Sequence, residues 1–302
     1  MREVVAAVDV GGTRVKAALV DRSYDVVAAL TVPTPADVAA DVGGAVASAV
    51  AELLANAARD AAPVGVVGCG VVVPGLVDER RGVGLWSANL GWRDLPVGEA
   101  VTAHLQVPTA VGHDVRAGLL AETRLGAARG ARHALFLPVG TGIAGALLLE
   151  GVLISADGWA GELGHMVVDP AGVPCACGAV GCLETVGSAA AVERAYAATT
   201  GQRCSAEQVA ALTVAGDPAA ALVWERAVSA LGAAIAATVT LTGVDLVLLG
   251  GGLAESGETL LRPLRADVDA RLTFQRRPRL EKAALGDRAG CLGAACLAWD
   301  AL

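Results

Sequence analysis

The chain carries the same turn twice, and that repeat limits its possible folds more than any other feature. The first copy is Val4–Asp21, VVAAVDVGGTRVKAALVD. An apolar run ends at Asp9, Gly11, Gly12 and Thr13 reverse the chain, and a second run carries Lys16 before turning apolar again. Two short strands joined by glycines predict a β-hairpin. The second copy begins with Arg132–Pro138, continues through Gly140, Thr141 and Gly142, and ends in Ala146–Leu149. Two strand–turn–strand units in one chain predict a duplicated α/β domain. Glycine lets the backbone approach a ligand closely, and successive N–H groups in such a turn form a concavity for anions. The two turns are therefore expected to hold a phosphate between the copies. The Asp9 carboxylate suits a phosphate-bound Mg²⁺.

Between and after these turns the chain alternates helix and strand signals. Val38, Val42, Val46, Val50 and Leu54 recur at helix spacing after a break at Val32–Pro35. Val64–Val73 reads as a buried strand closed by Pro74-Gly75. A loop with Trp86, Asn89, Gly91 and Trp92 follows. Aromatic faces and an amide suit a polyol, and tryptophans equally well pin a loop. Arg93–Gln106 reads as a helix, and Pro108–Gly112 as a strand running into His113-Asp114 and a helix over Val115–Arg129. Asp114 thus falls where open α/β sheets place ligands, which is also the place of an ordinary helix N-cap. Helices are predicted over Ser188–Thr199, Ala206–Leu212, Ala219–Thr242, Thr259–Arg271 and Gly290–Ala301, and strands over Val244–Leu249 and Ala283–Leu285. Gly250, Gly251 and Gly252 close the first of those strands. They either admit a flat ligand such as an adenine ring or simply turn the chain.

Seven cysteines raise the question of disulfides, but three of them, Cys175, Cys177 and Cys182, share one short window behind Glu162-Leu-Gly-His165. Three thiolates and one imidazole are the number and type of ligands that a closed, structural Zn²⁺ site needs. Such a knot would also fix Glu162 and Glu184, which flank it. A formal charge of −8 and a pI near 5.0 argue against a nucleic-acid surface. With only Lys16 and Lys282 as lysines, a lysine at the first turn is not routine surface chemistry. The sequence shows no secretory signal pattern and no uninterrupted apolar run of membrane-spanning length, so a cytoplasmic location without membrane contact is expected.

These residues resemble the ROK family of sugar kinases, regulators and related proteins. The resemblance rests on D-x-G-G-T-x-x-K (Asp9–Lys16), the glycine-rich strand end Gly68–Gly75, G-T-G (Gly140–Gly142), E-x-G-H (Glu162–His165) and C-x-C-G-x-x-G-C-x-E (Cys175–Glu184). It implies an actin/hexokinase-like, ribonuclease-H-like duplicated α/β fold with an interdomain cleft. Residues 1–115 would form a small domain, 116–288 a large one, and the terminal helix 289–302 would pack back on the first. The implied reaction moves the γ-phosphate of ATP, with Mg²⁺, to a sugar hydroxyl, usually O6 of a hexose, in a homodimer. By the same resemblance Asp114 is the general base. Asp9, Gly11, Gly12, Thr13, Lys16, Gly140, Thr141 and Gly142 hold phosphate and Mg²⁺, and Gly250, Gly251 and Gly252 lie near adenosine. Gly75, Asn89, His113, Glu162, His165 and Glu184 line the sugar site. His165, Cys175, Cys177 and Cys182 bind zinc.

One position departs from the family pattern, which has Asn-Asp where this chain has His113-Asp114. An imidazole in place of that amide changes the donor and acceptor pattern toward the sugar. An amino sugar such as kanosamine, N-acetylglucosamine or N-acetylmannosamine is therefore an alternative to a glucose-type hexose. Regulators of the family carry a DNA-binding segment ahead of the kinase-like region. With Asp9 so close to the start, a kinase is expected rather than a regulator. Polyphosphate is the alternative phosphoryl donor to ATP.

Overall fold

The computed structural model describes residues 2–60 and 63–302, with Asp60 described in its backbone alone. The chain divides into two compact units. The first comprises Met1–Arg124, Ser155–Trp159 and Asp287–Leu302, and the second comprises Leu125–Ile154 and Ala160–Gly286. The first unit therefore runs past the expected boundary at residue 115 and takes in a five-residue segment from the middle of the chain.

In chain order the first unit holds β1 (Arg2–Val10), β2 (Arg14–Val20), β3 (Val26–Pro33), α1 (Val42–Asp60), β4 (Val64–Val73), β5 (Leu76–Asp78), β6 (Val83–Ser87), β7 (Trp92–Leu95), α2 (Val97–Leu105), β8 (Thr109–His113) and α3 (Asp114–Leu125). Its main sheet has the order β3-β2-β1-β4-β8. β1, β2 and β3 are antiparallel neighbours, while β4 and β8 run parallel to β1. Both faces of β1 are buried, as its nearly continuous apolar sequence demands. Val4, Ala6, Val8 and Val10 pack in one core with α1 residues Val42, Val46, Val50 and Leu53, and Val5 and Ala7 face a second core.

The second unit holds β9 (Ala134–Pro138), β10 (Ala146–Leu149), β11 (Val152–Ile154), α4 (Leu183–Gly187), α5 (Ala189–Thr200), α6 (Ala206–Val214), α7 (Pro218–Thr242), β12 (Leu246–Gly250), α8 (Gly251–Ala254), α9 (Glu258–Arg271) and β13 (Arg279–Lys282). Its sheet order is β11-β10-β9-β12-β13. Again three antiparallel strands lead to two parallel ones, so the two sheets share one topology. The duplication expected from the two glycine turns is present at the level of strand order. α7 is long and apolar enough to cross a membrane, but most of its apolar window is buried in this unit, against α4, α5, α6 and α9. Asp217 caps it at the start and Gly243, left-handed at φ 69°, ends it.

α10 (Ala289–Asp300) returns to the first unit and covers the second face of its sheet. Ala294, Ala295 and Ala298 lie against β1 and β4. The approach is close because small residues meet: a Cβ on Gly70 would run into the Ala294 carbonyl, and one on Gly293 into the Ala117 carbonyl. The Trp299 indole N–H donates to the Asp21 carbonyl at 3.0 Å, which fixes the far end of the helix.

Several expected elements differ. Arg93–Gln106 is a strand, β7, followed by the shorter helix α2, because Pro96 separates them and the residue before a proline avoids helical geometry. The stretch read as a loop around Trp86 and Trp92 forms a second sheet, β5-β6-β7. The break at Val32–Pro35 lies at the end of an edge strand, β3. The last strand is Arg279–Lys282 rather than Ala283–Leu285. It is a sheet edge, and its charged residues disguise it. The close seat of α10 gives a direct test. Gly70→Ala is expected to destabilise the protein by about 1–3 kcal/mol through overpacking, read as a lower Tm in thermal denaturation. An unchanged Tm would contradict this packing.

Candidate functional site

The first glycine turn joins β1 to β2, with Asp9 directly opposite Lys16 in the ladder. The Gly11 N–H donates to the Arg14 carbonyl at 3.0 Å, which closes the turn. Thr34 ties the turn to the end of β3, its hydroxyl donating to the Gly11 carbonyl at 2.6 Å and its N–H to the Thr13 carbonyl at 3.1 Å. Gly12 and Thr13 stay exposed. Asn89 lies beside Gly12: a Cβ on Gly12 would be 3.3 Å from Asn89 Cβ. The two parts of the sequence expected to grip phosphate and sugar are thus neighbours within this unit. Of the two tryptophans near Asn89, Trp92 is buried in the core and Trp86 is 41% exposed. Gly75 has φ 100°, and a side chain there would meet the Trp86 carbonyl, so only glycine fits.

The Asp9 carboxylate retains some accessible surface but is ringed by protein atoms. A Cβ on Gly290, at the start of α10, would collide with its Oδ2. Burial pushes its pKa up to about 6; Lys16 opposes the rise, and Asp287 adds to it. Lys16 Nζ lies 3.4 Å from Asp287 Oδ2 and donates to the Asp287 carbonyl at 3.2 Å. Asp287 is 93% exposed, so this pair adds little to stability.

On the edge strand of the same sheet, at the same carboxyl end as Asp9, β8 ends in His113 and α3 begins with Asp114. The Asp114 side chain is 30% exposed, while that of His113 is 5% exposed. Asp114 Oδ1 accepts the Val115 N–H at 2.7 Å and lies 3.4 Å from His113 Nε2. His113 turns its Nδ1 to the start of α3, where it accepts the N–H groups of Val115 (3.2 Å) and Arg116 (3.3 Å). Arg116 is buried and donates through Nε to Glu79 Oε1 at 2.8 Å. The same oxygen accepts the His113 N–H at 3.2 Å. Burial and the Arg116 guanidinium lower the His113 pKa to about 3, so the ring is neutral.

In the second unit, Gly140 and Gly142 turn the chain between β9 and β10, and the Gly140 N–H donates to the Gly142 carbonyl at 3.0 Å. Gly251, left-handed at φ 74°, packs on Val139, where a side chain could not fit. The Val139 N–H donates to the Gly250 carbonyl and the Leu253 N–H to the Val139 carbonyl, at 2.9 and 3.0 Å. This lacing makes neighbours of the Gly140–Gly142 and Gly250–Gly252 turns. Open space faces both Gly140 and Gly252. The segment that carries Glu162 and His165 packs just after the same turn through its glycines: the Gly145 N–H donates to the Gly161 carbonyl at 2.7 Å, and a Cβ on Gly164 would strike the Ile143 carbonyl. Glu184, also expected at the sugar, accepts the Ile143 N–H at 2.9 Å and packs on Gly142.

His165, Cys175, Cys177 and Cys182 offer four ligand atoms within 4.8 Å of one another. His165 Nδ1 is 3.7 Å from Cys175 Sγ, and the sulfurs of Cys177 and Cys182 are 3.6 Å apart. A tetrahedron with Zn–S bonds of about 2.3 Å has edges of about 3.8 Å, so the donor set fits this metal in both type and spacing. His165 Nε2 faces away from the thiols, 3.8 Å from Glu162 Oε2. Gly181 holds the loop closed: its carbonyl accepts the N–H groups of Val168 and Asp169, and a Cβ on it would collide with the Asp169 carbonyl. Burial and the neighbouring thiols push Cys182 up to about 12, a state that a divalent cation would reverse by binding the thiolate.

The residues missed by sequence reasoning are Glu79, Asp287 and Gly290. Each acts on a motif residue from a distant part of the chain, so no local spacing could reveal it. The motifs lie on two α/β units whose sheets share one strand order, the duplicated architecture of an actin/hexokinase-like fold. A family model described as the ROK family matches residues 5–301. The chain is 31% identical to the glucokinase of Halalkalibacterium halodurans over 309 residues, covering 95% of this chain and 92% of that one. It is 31% identical to the N-acetylmannosamine kinase of Pasteurella multocida, covering 98% and 96%. Among solved structures, a ROK glucokinase from Streptomyces griseus in complex with glucose and AMPPNP matches with a TM-score of 0.81, at 28% identity, over 98% of this chain and 99% of that one. The chain belongs to the ROK family.

The raised pKa of Asp9 sets a pH dependence. Between 3.8 and about 6 the folded chain holds a proton at Asp9 that the unfolded chain releases. Stability from this group therefore falls as pH rises through that window and stays lower above it. Asp9→Asn, which cannot ionise, is expected to gain Tm over the wild type as pH rises from 4 to about 6, with a constant advantage at pH 7 and above. Parallel Tm–pH curves for the two proteins would contradict the assignment.

Proposed function

We propose that this chain is an ATP-dependent kinase that phosphorylates the 6-hydroxyl of a glucose-type hexose, with Asp114 as general base. The observation that carries the reading is the position of Asp114. It stands at the end of a parallel strand, with its carboxylate at the start of α3 and more exposed than its buried neighbour His113. Phosphoryl transfer asks mainly for positioning and charge stabilisation, with one carboxylate to take the proton from the attacking hydroxyl.

In this reading the exposed N–H groups of Gly12 and Thr13 and the side chain of Lys16 bind phosphate oxygens, and Asp9 stands on the metal side. The Gly140–Gly142 turn binds phosphate, and the neighbouring Gly250–Gly252 turn leaves space for the adenosine. Mg²⁺ accompanying ATP neutralises charge on the transferring group. Glu162 and His165 bind sugar hydroxyls, and Asn89 lines the sugar pocket. Glu184 holds Gly142 and Ile143 in place from the zinc knot, in addition to any bond to sugar. His165, Cys175, Cys177 and Cys182 hold a structural zinc. The burial of His113 and the engagement of its Nδ1 by α3 support a glucose-type hexose over an amino sugar.

ADP release with ATP and Mg²⁺ across glucose, mannose, N-acetylglucosamine, N-acetylmannosamine and kanosamine tests the substrate. Glucose or mannose should turn over fastest; preference for an amino sugar would overturn the hexose reading. Asp114→Asn is expected to lower kcat about 10²–10⁴-fold with the fold intact. Full activity in that variant would remove Asp114 as base. Cys177→Ser should lower zinc content, measured by elemental analysis, and raise the sugar KM. Full zinc with a normal KM would contradict the role of the knot.

A further inference from the structure

One carboxylate oxygen brackets Asp114 in sequence. Glu79 Oε1 accepts the backbone N–H of His113, the residue before Asp114, at 3.2 Å, and the Nε–H of Arg116, two residues after it, at 2.8 Å. The end of β8 and the first turn of α3 are thus held at a single point, by a charge-assisted bond on the α3 side. The Arg116 guanidinium reaches past Glu79 as well, and its Nη2 donates to the Val77 carbonyl in β5 at 3.4 Å. β5 is firmly seated, because Val77 is fully buried in the same core as Val73 of β4 and Val111 of β8. The turn that carries Glu79 is closed by Asp78, whose Oδ1 accepts the Arg81 N–H at 3.1 Å. Gly82, left-handed at φ 65°, ends that turn, and its carbonyl accepts the Gly98 N–H at 2.9 Å.

We propose that Glu79 and Arg116 are positioning residues: together they clamp the β8–α3 corner to the β5–β6 turn and so aim the Asp114 carboxylate at the substrate hydroxyl. This rests on the reading of Asp114 as the base. Neither residue has to touch substrate for this role. Proton transfer requires the base to stand within hydrogen-bond reach of the attacking oxygen, and a displacement of about 1 Å costs up to about 10²-fold in rate. The bonds from Val115 to Asp114 Oδ1 and from Val115 and Arg116 to His113 Nδ1 join close neighbours in sequence and move with the corner. Glu79 ties that corner to a different sheet, β5-β6-β7. The Arg116 side chain is 3% exposed and that of Glu79 31%, so the guanidinium is the buried member and the carboxylate meets it from the rim.

Two substitutions separate geometry from charge. A glutamine keeps an oxygen at the position of Oε1, able to accept from both His113 and Arg116, but removes the negative charge beside a buried guanidinium. An alanine removes both. Glu79→Gln and Glu79→Ala are therefore each expected to lose Tm. In the proposed kinase reaction, measured well below either Tm, Glu79→Ala should lower kcat about 10–10²-fold with the ATP KM within about twofold. Glu79→Gln should keep kcat within about threefold of the wild type. A Glu79→Ala enzyme with native kcat would overturn the proposal. Equal losses of kcat in the two variants would also overturn it, since activity would then follow stability or charge rather than position. So would a change confined to sugar KM, which would assign Glu79 to substrate binding. Amide hydrogen exchange reads the clamp without any assay. In Glu79→Ala the amides of His113, Val115 and Arg116 should exchange about tenfold faster, a larger increase than in β1 or β4. An equal increase throughout the unit, or none at these three amides, would overturn the proposal. If no sugar is phosphorylated by the wild type, the kinase reading fails, while the exchange result still decides whether Glu79 holds the corner.

Discussion

A carboxylate at the end of a buried strand needs hydrogen-bond partners, and the corner of the first unit around Asp114 supplies them. The carboxylate stands at the start of α3, where backbone N–H groups and the helix dipole favour a negative charge. Val115 donates to it directly. His113, one residue back, takes the capping role that Asp114 would otherwise fill, so the helix start is satisfied by a neutral ring. Glu79, half-buried in the turn after β5, then joins the buried Arg116 to the His113 backbone N–H and fixes that corner. Breaking such a pair by removing one partner leaves a buried charge uncompensated. Placement of Asp114 therefore depends on residues far from it in sequence.

The second unit meets a different requirement with glycines and a thiol knot. The turn between β9 and β10 keeps its shape because other backbone segments lie directly on it: Gly250-Gly251 on Val139, Gly161 on Gly145, Gly164 on Ile143. None of these contacts leaves room for a Cβ. Glu184 joins the same turn to α4, which starts directly after Cys182. Metal held by the three cysteines and His165 would thus stiffen Glu162, His165 and Glu184 together, and through Glu184 the Gly140–Gly142 turn itself. A knot of this kind gives rigidity to loops that bury little apolar surface of their own.

Much of this was legible in the sequence because the chemistry is local. Asp9 and Lys16 face each other across a hairpin whose register follows from its turn, and the Cys–His set is compact in sequence except for one short excursion. The repeated strand–glycine–strand pattern carried the duplicated topology. Other features were hidden for physical reasons. The edge strands β3 and β13 are only partly buried, so their patterns lack a continuous apolar run. Pro96 split a segment whose residues otherwise suit a helix. The role of His113 could not be read from spacing. Its burial and the two N–H groups accepted at Nδ1 depend on how α3 leaves β8, which a single sequence does not display. Glu79 and Gly290 lie distant in sequence from Arg116 and Asp9, and nothing in a single sequence pairs them.

The proposed kinase reaction leaves a phosphoryl group on a sugar hydroxyl, so the most direct measurement is the identity of the product. ³¹P NMR of a reaction containing the wild-type protein, ATP, Mg²⁺ and glucose should show one new phosphate monoester, coupled to the protons on C6, appearing in step with ADP. Loss of ATP without a sugar ester, or no ester with glucose or mannose at any time, would contradict it.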